Sequence, residues 1–280
     1  MPGIRDVTLI PKQPFMVELS SNYYKYVVNA FGISHFYSFF VKDTDTISIS
    51  VPDGCIDMMI HYNKSRTCVG ADFYGTDLLP HSMKVFKGCT HFGVRFLPGY
   101  VPAFVDASMP EMIDRIIPFP EIAKGHDLPA IVAEQDQFMD QIGAFMQFYL
   151  KYYESVYDPY RTKFGLIAEI VKAYGNIRIE ELSERTNYSV SYIDKIFLHE
   201  IGISPKSFSN ILRFQWTLNK IVVSPEKRVD YNSIIADLGY YDQSHFIREF
   251  KKYSKYTPSK YIAELFHKDY NNRLVILTTP

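Results

Sequence analysis

The sequence predicts an α+β protein: a β-rich first half, built as a small sheet or partial barrel, followed by an entirely helical second half. Three observations lead there. Up to about residue 125, apolar residues alternate in short runs with the period-two spacing of half-buried strands. From Leu128 onward they recur at three- and four-residue steps, the spacing of one helix face. The helical half then repeats itself at an offset of 53 residues.

The strand-like runs are "ISISV" (47–51), "CIDMMIHY" (55–62), "SMKVFKG" (82–88) and "HFGVRFL" (91–97). Pro52-Asp53-Gly54, Asn63 to Ser65 and Leu97-Pro98-Gly99 supply the turns between them. Residues 1–127 are therefore expected to form a β-rich domain. Phe138, Ile142, Phe145, Tyr149 and Tyr153 then mark a helical connector over 128–157, whose aromatic face serves as domain core or as a dimer seam. "DPY" at 158–160 opens the next helix, with Asp158 as N-cap and Pro159 in the first turn. Residues 158–268 form the helical domain. The tail, 269–280, contains the strand-like "RLVILTTP" and has no evident role.

Sliding the helical half by 53 residues superimposes Ser189 on Asp242, Ile193 on Phe246, Lys195 on Arg248, Phe197 on Phe250 and Pro205 on Pro258. Ahead of the capping residues the offset is 52, pairing Asn187 with Gly239 and Tyr188 with Tyr240. Each copy has one plan. A short helix ends at a residue tolerant of left-handed backbone, Asn187 or Gly239. An aromatic residue is expected to plug the angle, and a capping residue, Ser189 or Asp242, opens a second helix. That is a helix-turn-helix, twice. Between the copies, Ser204-Pro205 starts a helix to about Val223, with the apolar stripe Phe208, Ile211, Phe214, Leu218 and Ile221. About 19 residues at 1.5 Å rise make a strut of roughly 28 Å, suited to two recognition helices in successive major-groove segments roughly 34 Å apart.

The copies "LSERTNYSVSYIDKIFLHEIGISPKSF" and "GYYDQSHFIREFKKYSKYTPSKY" resemble the AraC/XylS family of transcription regulators over about residues 161–265. Lys255, where the family usually has a helix-ending glycine, and Ile235, where it has a small residue, depart from the pattern. "VPDGCIDMMIHY", "GVRFLPGYVPAFV" and "IIPF" are similar to the sensor-like domain of one subgroup. The resemblance implies base-reading positions at Ser191, Asp194 and Lys195 in the first copy, and at Gln243, Ser244, His245 and Arg248 in the second. Arg and Gln suit base edges because they bond guanine and adenine bidentately, and Asp accepts from cytosine. Ser189, Asp242, Lys251, Lys252 and Lys255 are the phosphate candidates. For any one of these residues the alternative is a solvated helix face. The resemblance implies double-stranded promoter DNA as partner and activation as the commoner mode. It leaves room for RNA polymerase, a small-molecule effector and a second copy of the chain.

Composition agrees with this reading. From Arg161 onward there are 18 Lys+Arg against 13 Asp+Glu; the first 160 residues have 12 against 18. A basic half joined to an acidic half fits nucleic-acid contact by one end. The first twenty residues lack the apolar run of a signal peptide, and no run approaches bilayer length, so a cytoplasmic protein without membrane contact is expected. Cys55, Cys68 and Cys89, with His61, His81 and His91, match no standard zinc spacing, so neither metal nor cofactor is expected. Alternation places Asp57 and Arg95 on the same side of their strands, as an effector-binding pair or as a structural ion pair. No enzymatic activity is expected. The rival reading is a DNA-targeted enzyme or a metal or redox sensor with its chemistry in the first half.

Overall fold

The computed structural model describes residues 9–42, 48–83, 86–156, 162–222, 229–267 and 270–277. The first half contains α1 (Pro14–Val17), β1 (Tyr23–Ala30), β2 (Ile33–Phe40), β3 (Ser48–Ser50), β4 (Asp57–Tyr62), β5 (Cys68–Tyr74), β6 (His81–Met83) and β7 (Thr90–Phe96). Then come α2 (Met109–Met112), β8 (Ile116–Pro118), α3 (Phe119–Ile122), α4 (Leu128–Ala133) and α5 (Phe138–Val156). The helical half comprises α6 (Thr162–Lys172), α7 (Ile179–Thr186), α8 (Val190–Glu200), α9 (Pro205–Val222), α10 (Tyr231–Asp237), α11 (Gln243–Ser254), α12 (Pro258–His267) and α13 (Tyr270–Arg273). The chain closes on β9 (Leu274–Leu277).

Seven strands form one sheet in the order β8-β5-β4-β7-β2-β1-β9, and β3 pairs with β6 separately. Neighbours in the large sheet are antiparallel, except that β9 runs parallel to β1. Phe36, Met58, Ile60, Phe73, Phe92 and Val94 share one core with α4 and with Phe145 and Tyr149 of α5. The Phe36 and Phe145 rings meet edge to face at 5.5 Å. The aromatic face of the connector is thus core, not a seam left open. Tyr23, Tyr37, Phe39 and Met59 share a second core with Phe15 of α1 and with Phe214, Phe250 and Tyr261 of the helical half. The two halves are joined by packing, and each large apolar side chain buried there is worth about 1.5–3 kcal/mol.

Several elements differ from the sequence reading. β1, β2, β5 and β8 lie outside the runs expected from alternation; β2 is buried along nearly its whole length, Ser34, His35 and Ser38 included. The run beginning at Cys55 pairs only from Asp57. The proposed helix start at Asp158-Pro159 lies outside the described residues. The strut α9 shows the expected stripe, yet Ser209, Arg213, Gln215 and Thr217 are buried too. The reason is Gln215: its Nε2 donates to the Pro52 carbonyl at 2.8 Å, and its Oε1 accepts from the Lys12 N–H at 2.8 Å. The strut is an interior helix clasped by the β-rich half. The tail returns to the sheet, and Arg273 Nη1 donates to the carbonyls of Glu18 and Ser20 at 2.8 and 3.0 Å. Among the described residues no helix is long and apolar enough to cross a membrane.

Candidate nucleic-acid interface

Both helix-turn-helix turns have the backbone their sequences require. Asn187 ends α7 with φ of 57°, and Gly239 follows α10 with φ of 66°. At Gly239 a Cβ would come within 2.0 Å of the Asn176 side chain, so this position excludes other residues by space as well as by conformation. The following tyrosines differ. Tyr240 is buried and plugs the angle as expected; Tyr188 is 38% exposed and lies against Tyr192 at 5.1 Å instead. The first copy is filled without its aromatic plug.

Ser189 caps α8 by accepting from the Tyr192 N–H at 3.2 Å, and Asp242 caps α11 by accepting from the His245 N–H at 2.6 Å. Both phosphate candidates are thereby engaged with their own helices, where they fix the first turn. Ile193 and Phe197 of α8, and Phe246 and Phe250 of α11, are buried. The opposite faces stay open: Ser191 and Lys195 of α8, and Gln243, Ser244 and Arg248 of α11, are exposed, while Asp194 is half-buried. Lys251 and Lys252 continue the exposed face into the last turn of α11. Lys252 Nζ sits 4.8 Å over the Tyr253 ring. Lys255, also exposed, ends the helix at φ of 66°, and 53 residues earlier Gly202 occupies the matching position at φ of 84°. The usual glycine is kept in the first copy and replaced by a cation in the second.

His245 is placed differently from its neighbours. Its Nδ1 accepts from the Tyr241 N–H at 3.3 Å, and its Nε2 lies 3.5 Å from Glu249 Oε2. Both ring nitrogens are occupied, one by the turn before α11 and one within the helix. Glu249 in turn is held by Arg213 of the strut, whose Nε donates to Oε1 at 3.0 Å and whose Nη2 donates to Oε2 at 2.5 Å. The Arg213 guanidinium also stacks over Tyr240 at 4.7 Å, and the Tyr240 hydroxyl is 2.9 Å from Thr217 Oγ1. Burial pushes the Tyr240 phenol well above its ordinary range, so it stays a neutral hydrogen-bonding group.

This brace sets the angle of α11 on α9, and sequence reasoning missed it. The one signal was the 53-residue register, which sets Glu249 opposite Ile196: a carboxylate in one copy against an apolar residue in the other. On the first copy α8 is seated by Phe197 against Phe208 at 5.5 Å and by Lys163 Nζ to Glu200 Oε2 at 3.4 Å.

Asp57 and Arg95 face each other across β4 and β7. Arg95 Nε donates to both Asp57 oxygens at 3.0 Å, and Nη1 donates to Asp53 at 2.5 Å. Tyr37 adds a bond to Asp57 at 3.1 Å. Burial raises the Asp57 carboxyl above its usual range, against the pull of Arg95. The cavity beside them, lined also by Gln13, Ser50 and Cys55, is about 10 Å³, the space of one water.

A family model described as a helix-turn-helix domain matches residues 182–264, and another, described as a domain of unknown function, matches residues 31–118. An uncharacterized HTH-type transcriptional regulator of Haemophilus influenzae is 29% identical over 101 residues, 36% of this chain and 33% of that protein. The chain thus spans about one third of that relative's length. Among solved structures, ToxT from Vibrio cholerae superposes with a TM-score of 0.46 and 12% identity, over 81% of this chain and 96% of that one. Wild-type ToxT bound to an unsaturated fatty acid gives 0.44 and 13%, over 81% and 93%.

Proposed function

We propose that residues 182–264, which match the helix-turn-helix family model, act as an AraC-type domain through which the chain regulates transcription, docking α8 and α11 into successive major-groove segments of promoter DNA. Ser191, Asp194 and Lys195 read base edges from α8; Gln243, Ser244 and Arg248 read them from α11. Lys251, Lys252 and Lys255 meet phosphate and supply the salt-dependent part of the affinity. Ser189 and Asp242 act on phosphate indirectly, by fixing helix N-termini whose free N–H groups point toward it. His245 has a supporting part in the second reading head, because its ring is tied to the turn and to Glu249.

The observation that carries this reading is the contrast in burial. Both second helices bury their inward pairs, Ile193 and Phe197 or Phe246 and Phe250, while Ser191, Lys195, Gln243, Ser244 and Arg248 on the opposite faces stay exposed. The β-rich half acts as the regulatory part, by sensing a small molecule or by pairing two copies, and contact with RNA polymerase converts docking into activation. An effector at Asp57 and Arg95 would have to open the packing there, since the existing cavity takes one water.

Genome-wide mapping of sites bound by the full-length chain, with and without the Lys195→Ala and Arg248→Ala pair, tests the proposal. Discrete promoter sites are expected for the parent chain, and their loss with salt-sensitive background binding for the double variant. Identical profiles for the two proteins, or no enriched site at all, would overturn it.

A further inference from the structure

His61 and His91 stand opposite each other in the β4–β7 ladder, both fully buried. Their Nδ1 atoms are 2.7 Å apart. The remaining nitrogens are engaged as well: His61 Nε2 lies 3.2 Å from Asp72 Oδ2 on β5, and His91 Nε2 lies 3.2 Å from the Phe86 carbonyl oxygen. A carbonyl oxygen can only accept, so His91 donates from Nε2. An ionised carboxylate can only accept, so His61 donates from Nε2. Two neutral rings in those tautomers would turn bare Nδ1 lone pairs toward each other at hydrogen-bond distance. Three contacts each need one proton, and two neutral imidazoles beside a carboxylate bring only two.

We propose that a third proton lies between the two Nδ1 atoms, making His61 and His91 a buried proton-binding site whose charge Asp72 balances. His61 holds the charge, since its ring is the one against the carboxylate. His91 stays the neutral acceptor: burial and then the neighbouring His61 push it down to about 3. A metal ion shared by two imidazoles would hold the nitrogens about 3.3 Å apart, from bond lengths near 2.0 Å at a tetrahedral angle. The observed separation is shorter, and suits a proton.

The surroundings keep that proton in place. Phe86 covers His61 at 4.5 Å between ring centroids, and Phe39 stacks on His91 at 4.9 Å. The other titratable groups on this side of the sheet are occupied or neutral. On β7 and β4, Arg95 is matched by Asp57, with Asp53 from the preceding turn. On β2, burial holds His35 neutral and raises the Tyr37 phenol. On β1, burial raises the Tyr23 phenol and lowers the Lys25 amine. On β5, burial raises Tyr74. Lys87, in the loop from β6 into β7, is exposed. Loss of the proton at alkaline pH leaves two protons for three contacts, so the Nδ1–Nδ1 contact breaks while His91 keeps its Nε2–H bond to the Phe86 carbonyl. This site is independent of the DNA-binding reading.

Histidine-selective ¹⁵N NMR on the metal-stripped full-length chain, from pH 6 to 9, tests it. One ring is expected to show two slowly exchanging N–H protons at pH 7.5, and a second ring a single Nε2–H; His61→Gln and His91→Gln assign the two. The half-exposed His81, whose hydrogen bond to Asp77 raises it, is distinguished by fast exchange. Asp72→Asn is expected to lower the pH at which the shared proton leaves by about 1–3 units. Absence of a doubly protonated, slowly exchanging ring in the parent chain would overturn the proposal whether or not the variants fold. So would a stoichiometric metal in the purified protein whose removal separates the two rings.

Discussion

At the scale of single residues, exposure and hydrogen-bond commitment separate the proposed reading positions. Arg248 is exposed and points from the same face as Gln243 and Ser244, whereas His245 on that face is already bonded at both nitrogens. Arg248→Ala is expected to weaken cognate binding by about 1–3 kcal/mol and relax preference at one base pair, read by competition across a site library. Lys255 sits in left-handed backbone that favours glycine. Lys255→Gly is expected to raise thermal stability by about 1 kcal/mol while weakening DNA binding at low salt, two opposite signs in one variant. Lys25 is 7% exposed, and burial, then Lys12 and Arg95, lowers its amine well below the lysine range against a weaker pull from Asp53 and Asp57. The unfolded chain therefore binds the extra proton, and this group's contribution to stability grows as pH climbs toward its unfolded value near 10.4. Lys25→Met is expected to gain about 1–3 kcal/mol at pH 7 and to flatten that rise, as seen in melting temperatures between pH 7 and 10.

At the scale of elements, the two copies share a plan but not a means of attachment. The first recognition helix is seated by apolar contact, with Ile196 half-buried where the second has Glu249. The second is fixed to the strut by a buried ion pair, Arg213 to Glu249, stacked on Tyr240. Removing one partner leaves an uncompensated charge, so Glu249→Ala is expected to destabilise by about 3–5 kcal/mol. Arg213→Met combined with Glu249→Leu should restore most of it, measured by denaturant unfolding. The repeat was legible because caps, turns and apolar spacing are local. The brace was not, because a lone Glu on a helix reads as a solvated charge until its partner is placed.

At the scale of the whole molecule, the contacts that join the two halves include the clasped strut, the α1 contact and the returning tail. Phe15 of α1 meets Tyr261 edge to face at 5.3 Å, and Tyr261 meets Phe250 of α11 at 5.2 Å. An aromatic line thus runs from the start of the chain into the second reading head. The tail adds β9 alongside β1, with Tyr23 opposite Leu274 and Tyr26 opposite Leu277. Deleting residues 274–280 is expected to cost about 1–3 kcal/mol and to speed amide exchange in β1, with α8 unaffected. Protection of β1 left unchanged would show that the tail strand carries no load in the sheet.

By itself the sequence determined what depends on near neighbours: the change of period near Leu128, both helix-turn-helix turns, the capping residues and the apolar stripe of the strut. Only the tertiary structure decided which polar groups lie inside. Gln215 is bonded to Pro52 across 163 residues, Arg213 to Glu249 across 36, and His61 to His91 across 30. The physical reason is the same for all three. A polar side chain can be buried only beside a partner that satisfies its donors and acceptors; strand alternation suggested Asp57 for Arg95, but nothing local points from Gln215, Arg213 or His61 to its partner.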